Sequence, residues 1–532
     1  MQAMLKRSLG KVLARLDGWA DRLYGWKWNP LYQSGALVVA CLAVVLATGL
    51  YLIFFYRIGA PYESMVRIDG QAWGGRWIRS LHRYAADAAV VAAVVHALRM
   101  FCQGRSWGPR ALAWISGVFL VFLLYVCGWT GYVMVWDTHG QLLATEGARL
   151  LDALPLFSEP VSRTFAGDSP LPSAFFFMNL FLHIALPIGL AIFLWLHVAR
   201  VARPVILPPR RLLWTSVGLL AAAAILLPVP LGPGADLLRT PGDVTLDLFY
   251  SFWLPAAASA SPGLVWAAGT AVAIALVSVP FMARPREDRR PAPSHVSSRL
   301  CTSCEQCYVD CPYDAIRMVE RTDGREGLVA QVNPASCVSC GICAGSCAPM
   351  GVGPPGRTGR DQLARVREFV ARRSFADGDI VLVACGRSAA SAPQAGGEAP
   401  RFPVSCAGNL HSSVVEYLIR AGAGGVLVVA CPPRDCWGRE GPGWLVERLF
   451  NGREAELKER VDRKRVRVAF ASLHDRPALR AALDEFARAL AGLDAPAGEA
   501  GIEVDTECEL SGLPDGPRMP PARRRWWRAG SP

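Results

Sequence analysis

RSLHRYAADAAVVAAVVHALRMF, residues 79–101, sets His82 and His96 fourteen positions apart inside an apolar run. A second run, FLHIALPIGLAIFLWLH at 181–197, repeats that interval with His183 and His197. At about 1.5 Å of rise per residue, fourteen steps cover roughly 21 Å and nearly four turns, so each pair lies close to one face of its helix. Two such helices side by side offer two bis-imidazole sites stacked across a membrane. That is the geometry for two b-type haems, and it points to electron transfer across a bilayer.

Composition agrees with a membrane protein. The chain has 532 residues, 52% of them hydrophobic, and is too long for one compact domain. Its mean hydropathy is +0.26. Six stretches, 34–56, 82–101, 111–136, 174–199, 212–232 and 262–283, are long and apolar enough to span. Residues 1–30 are basic and amphipathic and read as a helix on the inner membrane surface. Segments 1–30, 102–110, 200–211 and 284–290 hold sixteen Lys and Arg, against seven in 57–81, 137–173 and 233–261. The asymmetry places both termini and everything after 284 in the cytoplasm, at the inner membrane. Much of the +12 net charge is this bias plus a basic tail, which argues against nucleic-acid binding.

Glycine repeats the histidine ruler. Gly35 and Gly49 lie in the first span, Gly117 and Gly131 in the third, each pair again fourteen apart. A flat macrocycle between helices needs a neighbour without a Cβ where it comes close.

At these residues the chain resembles cytochrome b of the quinol-oxidising bc complexes. QSGALVVACLAVVLATG (33–49) and GVFLVFLLYVCGWTGYVMVW (117–136) complete the match, and Pro187 sits where the family's fourth helix bends. The resemblance implies haem-propionate roles for Arg79 and Arg99. With the second and fourth spans running the same way, His82 pairs with His183 at the outer haem b, and His96 with His197 at the inner one. ADLLRTPGDVTLDLFYSFW (235–253) aligns with the family's outer quinol site, where Leu246, Asp247, Leu248 and Phe249 replace Pro-Glu-Trp-Tyr. Asp247 is the one surviving acid, either a quinol proton acceptor or a solvated loop carboxylate. The family's last two helices are absent, as is any Rieske-type domain.

Sixteen cysteines in a chain with a cytoplasmic half argue for metal ligation. Cys41, Cys102 and Cys127 fall in or beside spans and read as structural, and Cys508 stands alone in a polar tail. Residues 301–311 read Cys-x-x-Cys-x-x-Cys-x-x-x-Cys, and 337–347 repeat that spacing. This is the two-cluster ferredoxin pattern, in which the fourth cysteine of each run crosses to the other cluster. It assigns Cys301, Cys304, Cys307 and Cys347 to one [4Fe–4S] cluster and Cys337, Cys340, Cys343 and Cys311 to the other.

Further on, the strands DIVLVAC, FPVSC, GGVLVVAC and RVRVAFAS alternate with helical stretches near 411–422, 443–462 and 476–491. Cys385, Cys406 and Cys431 end strands of a parallel sheet and Cys436 follows, so four thiols converge at one crevice. GGVLVVACPPRDCWGREG (424–441) resembles the small iron–sulfur (delta) subunit of methyl-viologen-reducing hydrogenases. That resemblance implies a [2Fe–2S] cluster and docking to a flavin-containing partner. His411 and His474 read as ordinary polar residues.

The expected architecture is therefore multi-domain. A surface helix (1–30) precedes a four-helix di-haem bundle (31–210) and two further transmembrane helices (211–283). A linker (284–299) leads to a ferredoxin-like α+β domain (300–350) and a small α/β parallel-sheet domain (376–490), with a disordered tail (491–532). The function this implies is an electron-transfer subunit joining the quinone pool to a cytoplasmic flavin/iron–sulfur oxidoreductase of heterodisulfide-reductase or hydrogenase type. Its cytochrome b relatives make a homodimer an open option. Two other readings stand beside it: a haem conduit to a periplasmic cytochrome without quinone chemistry, and a redox sensor or scaffold.

Overall fold

The structure is a computed structural model. It describes residues 2–493 apart from 27, 157, 166–170, 199–205, 240–243, 245–246, 285–289, 377, 392–398 and 474. Leu246, His474, Cys508 and the tail beyond 493 lie outside the described residues. The chain divides into two compact units, Gln33–Arg284 and Met1–Tyr32 with Pro285–Pro532.

The first helix, α1 (Gln2–Tyr24), groups with the iron–sulfur unit. Its end is fixed by Asp21, a buried carboxylate that accepts hydrogen bonds from Asn29 (2.7 Å), Tyr32 (2.6 Å) and Ser472 (3.0 Å). The ring of Trp26 lies 5.1 Å from that of Phe470.

Unit Gln33–Arg284 is helical. Lipid offers backbone groups no partner, so apolar spans close their hydrogen bonds within each helix. Its elements are α2 (Ser34–Ile53), α3 (Pro61–Gly70), α4 (Gly75–Cys102), α5 (Ala111–Val135), α6 (Thr138–Asp152), α7 (Ser173–Trp195), α8 (Arg210–Leu226), α9 (Leu254–Ser259) and α10 (Pro262–Met282). Helix α2 packs along α4, and α5 along α7. Leu46, Leu50, Ile188, Ile192, Leu219 and Ile274 point outward, as a lipid-facing surface requires.

Among the described residues five helices are long and apolar enough to cross a membrane, against the six expected. The shortfall is α8, expected over 212–232, which stops at Leu226 after 17 residues. Pro228 and Pro230 cannot continue a helix. The chain beyond it folds back, and the carbonyls of Leu227 and Val229 accept from Tyr84 and Arg79.

In the other unit the eight-cysteine segment forms two antiparallel pairs. Strand β1 (His295–Val296) pairs with β4 (Val352–Gly353), and β2 (Ile316–Glu320) with β3 (Leu328–Val332). The short helices α11 (Gln306–Asp310) and α12 (Ile342–Gly345) follow the two Cys-x-x-Cys turns. The expected linker is in part structural, because β1 and Ser294 belong to this domain.

The last domain comprises α13 (Gly359–Ala371), β5 (Ile380–Cys385), β6 (Arg401–Val404), α14 (Ser412–Arg420), β7 (Gly425–Ala430), α15 (Gly441–Phe450), β8 (Val466–Phe470) and α16 (Arg476–Leu490). Its sheet is parallel throughout, in the order β6-β5-β7-β8. Both faces are covered, which is why β5 and β7 read as unbroken apolar runs. Val381, Val383, Val426 and Val428 pack on one face, while Leu382, Leu427 and Val429 meet Leu479 and Phe486 on the other. Helix α13 contributes Val366 to this core, so the domain begins before the expected residue 376. Helix α15 ends at 450, not 462, because Asn451 is followed by Gly452 at φ +64°.

Candidate functional site

The four histidines face the four glycines one to one. A Cβ built on Gly35 would lie 2.9 Å from Cε1 of His96; on Gly49, 3.2 Å from His82; on Gly117, 3.6 Å from His197; and on Gly131, 2.9 Å from His183. The missing side chains let each imidazole lie against its neighbouring helix. Within that frame the rings of His82 and His183 have centroids 6.3 Å apart, tilted by 55°. A metal midway, bonded at about 2 Å to nitrogens whose ring centres sit about 1 Å behind them, would hold the centroids about 6 Å apart. The observed pair is therefore spaced so that the two imidazoles would hold one metal between them. His96 and His197 are likewise electrostatic neighbours, and the charges of Arg105 and Arg99 reach His96.

Three of the four rings are also oriented. Thr48 Oγ1 donates to the Val44 carbonyl (2.7 Å) and contacts His82 Nδ1 (2.9 Å). Ser116 Oγ donates to Leu112 (2.8 Å) and contacts His197 Nδ1 (2.8 Å). Thr130 Oγ1 donates to Cys127 (2.9 Å) and contacts His183 Nδ1 (3.1 Å). A hydroxyl has one proton, and here the helix carbonyl takes it, so toward the imidazole the oxygen accepts. Nδ1 then carries the ring proton and Nε2 keeps the lone pair a metal needs. Each of these hydroxyls immediately precedes its glycine, and Ser34 stands in the same place before Gly35. That Ser/Thr-Gly pair, four times repeated, was the signal sequence reasoning missed.

Gly117 and Gly131 give a graded expectation. In Gly117→Ala the new methyl finds ordinary contact distance, and the helix gains about 0.5–1 kcal/mol. In Gly131→Ala it overpacks His183, which costs about 1–3 kcal/mol. Thermal stability and b-type absorbance of the two variants are expected to diverge in that order.

Arg79 donates to Asp69 (2.7 Å) and to the Val229 carbonyl, which ties it to the loop after α8. Asp247 is not a solvated loop carboxylate. Its side chain is 8% exposed and ion-paired with Arg83, which also bonds Asp87. Its other oxygen accepts from the Phe249 and Tyr250 amides. Beside this group the Arg83 guanidinium lies 4.5 Å over the Tyr132 ring, and the buried His139 ring sits 4.6 Å from the same tyrosine. Burial pushes His139 down and keeps it neutral. Its Nε2 has no hydrogen-bond partner among the described residues.

In the ferredoxin-like domain both Cys-x-x-Cys turns take the same backbone form, with positive φ at Ser303 and Glu305 and again at Ser339 and Gly341. The fold brings sulfurs of the two runs together. Cys307 feels Cys343, Cys347, Cys304 and Cys301, and Cys343 feels Cys340, Cys311 and Cys337. Cys311, Cys337, Cys340 and Cys343 line one cavity. Burial raises the Cys307, Cys311 and Cys343 thiols, and Cys347 is pushed up to about 11. Without compensating iron, four such thiolates would be costly to bury. Amides supply part of the compensation: Ser294 and Ser339 donate to Cys337 Sγ (both 3.4 Å), Ala315 to Cys311 (3.3 Å) and Gly351 to Cys347 (3.2 Å). Ser294 Oγ also lies 3.3 Å from Cys343 Sγ, a contact supplied by the presumed linker. Among the described residues no three His, Cys, Asp or Glu side chains surround a point as ligands of a single ion.

Cys385, Cys406, Cys431 and Cys436 are buried at the carboxyl ends of β5, β6 and β7, linked Cys385–Cys431–Cys436–Cys406 by sulfur hydrogen bonds. Cys385 is lowered to about 7, first by Cys431 and then by the Arg387 and Ala407 amides acting against burial. His411, expected to be an ordinary polar residue, is buried at the junction of the two domains. The Ser413 amide donates to its Nδ1 (3.2 Å), so Nε2–H donates to the Cys347 carbonyl (3.2 Å). Burial and then the Arg448 charge push it down to about 4. Arg448 itself is fully buried, donating to Ser346 (2.9 Å) and Gly408 (2.8 Å).

Comparison with known proteins agrees with these three parts. Residues 21–204 match the cytochrome b/b6/petB family, 300–351 a 4Fe–4S dicluster domain, and 383–494 the delta subunit of methyl-viologen-reducing hydrogenase. Among solved structures, a chain of a hyperthermophilic respiratory Complex III is 18% identical, with a TM-score of 0.37; the match covers 49% of this chain and 78% of that one. The protein is a multi-pass membrane electron-transfer subunit in which a cytochrome b-type segment is joined to a dicluster segment and a delta-type segment.

Proposed function

We propose that this chain carries electrons between membrane quinone and a soluble flavin/iron–sulfur oxidoreductase, by way of two b haems, two [4Fe–4S] clusters and one [2Fe–2S] cluster. The observation that carries it is the one-to-one facing of four glycines and four histidines, three of them turned by a hydroxyl at Nδ1, in a chain that continues into twelve cysteines. His82 with His183 and His96 with His197 would hold the haems. Cys301, Cys304, Cys307 and Cys347, and Cys337, Cys340, Cys343 and Cys311, would hold the [4Fe–4S] clusters, and Cys385, Cys406, Cys431 and Cys436 the [2Fe–2S] cluster. These groups supply the one-electron chemistry, while the protein positions them and tunes their potentials.

The Lys/Arg asymmetry supports an inner-membrane protein with its iron–sulfur domains in the cytoplasm. Helix α1 fits the same orientation. Val12, Leu16, Trp19 and Leu23 form an exposed apolar stripe, with Lys11, Arg15 and Arg22 on the same helix to meet anionic headgroups.

On the outer side, quinol oxidation needs a proton acceptor. Arg83 and two amides occupy Asp247, whereas His139 is neutral with an open Nε2, so His139 is the better base and Asp247 the group that steadies Arg83 beside it. His139→Phe is expected to slow haem reduction by a quinol about 100-fold, the lower range for a lost general base, and to leave the dithionite-reduced spectrum unchanged. Haem reduction insensitive to both this change and quinone analogues would favour the conduit to a periplasmic cytochrome.

A further inference from the structure

Gly438 stands between cysteines of two different sets. A Cβ built on it would lie 3.4 Å from the sulfur of Cys406 and 3.7 Å from the Cβ of Cys340. Cys340 lines the cavity it shares with Cys311, Cys337 and Cys343, while Cys406 belongs to the four thiols of the parallel-sheet domain. A single methyl group placed there would touch both, and Ile342 as well. Gly441 packs against the same sulfur, its built Cβ 3.0 Å from Cys406 Sγ.

Both sides hold this approach in place. Arg439 donates to the Pro312 carbonyl (2.9 Å), and its guanidinium lies 4.4 Å over the Tyr313 ring. Pro312 and Tyr313 directly follow Cys311, so the segment carrying Gly438 is fastened beside another cysteine of the same cavity. The other ferredoxin set meets this domain differently. Cys347 presents its backbone carbonyl to His411, and Asp310 and Ser346 present oxygens to Arg453 and Arg448. Those contacts are polar bonds made by backbone and side-chain oxygens.

We infer that the electron enters or leaves the delta-type domain across Gly438, with Cys340 and Cys406 as the facing ligands. The cluster on Cys311, Cys337, Cys340 and Cys343 is then the adjacent station, and that on Cys301, Cys304, Cys307 and Cys347 the remote one. This rests on the cofactor assignment proposed above. One electron moves, oxidising one centre by one unit and reducing the other by one; no bond forms or breaks and no proton is transferred. Gly438 is needed for the gap it leaves, since its backbone lies outside the left-handed region that only glycine favours.

The experiment is pulsed electron paramagnetic resonance on the reduced, full-length holoprotein, reading how strongly the [2Fe–2S] signal is relaxed by a neighbouring paramagnetic cluster. Gly438→Leu should lose that enhancement with iron content unchanged. Gly443→Leu, where a Cβ meets nothing within 4 Å, should keep it. Cys340→Ala should abolish it and Cys304→Ala preserve it, which decides the matter even if the leucine variant does not fold. Enhancement lost with Cys304→Ala yet kept with Cys340→Ala would overturn the wiring order, as would a fully loaded Gly438→Leu protein that relaxes like wild type. A wild-type protein with no iron–sulfur signal would instead overturn the cofactor assignment, and the route with it.

Discussion

His183→Leu is expected to remove half of the reducible b-type absorbance of the purified protein, and His96→Leu the other half. The reasoning starts from the ring geometry. His82 and His183 face each other at a centroid distance suited to one metal, and each Nδ1 is engaged by a hydroxyl that can only accept from it. Leucine offers no lone pair, and the remaining imidazole cannot hold a six-coordinate haem alone. The orienting hydroxyl acts at one remove. Thr130→Val should keep the haem but weaken its retention by about 10–100-fold, the usual effect of losing a partner behind a metal ligand. Optical difference spectra with haem quantification read both. Full b-type absorbance in His183→Leu would sink the assignment of that site.

Asp310→Ala is expected to destabilise the iron–sulfur unit by about 3–5 kcal/mol, because it strips a buried ion pair of one partner. The Asp310 carboxylate is fully buried and accepts from Arg453 (2.6 Å), Ser346 (2.7 Å) and Gln306 (3.1 Å). Ser346 in turn accepts from the fully buried Arg448, which burial lowers only to about 10, so it remains charged. Removing the carboxylate leaves two guanidinium groups without their nearest countercharge. The comparison is Glu368→Ala, which breaks an ion pair between side chains more than 60% exposed. That change is expected to cost no more than about 0.5 kcal/mol. Denaturant midpoints followed through iron–sulfur absorbance test the contrast, and equal midpoints for the two variants would refute it.

Much of the site could be read from spacing because its intervals are local. A fixed helical rise places residues fourteen apart on one face, so the histidine and glycine rulers lead directly to two stacked pairs. Three-plus-one cysteine runs likewise reflect how a short turn wraps a cluster. The hydroxyls before the glycines were equally legible, since Ser34, Thr48, Ser116 and Thr130 recur at the same interval. Ser294 was not. It sits in a Pro- and Arg-rich stretch, and only the pairing of β1 with β4 brings it to Cys337 and Cys343.

The outer acidic site shows the same limit. Alignment found Asp247, but its partner Arg83 is 164 positions away in sequence, and His139 comes near only through the turn between α5 and α6. Apolarity continues past the prolines that stop α8 at Leu226, so hydropathy alone extends that helix too far. The single fully buried valine of α13, Val366, signals nothing in sequence until the sheet is formed.

By itself the sequence determined the number and type of candidate ligands, the helical and parallel-sheet classes, and the order of the three segments, all of which follow from periodicity and short-range geometry. The pairing of each glycine with its histidine, the turn of the His82, His183 and His197 rings, and the cysteine beside Cys406 came from the packed chain. Those depend on contacts between elements far apart in the chain, and packing alone selects them.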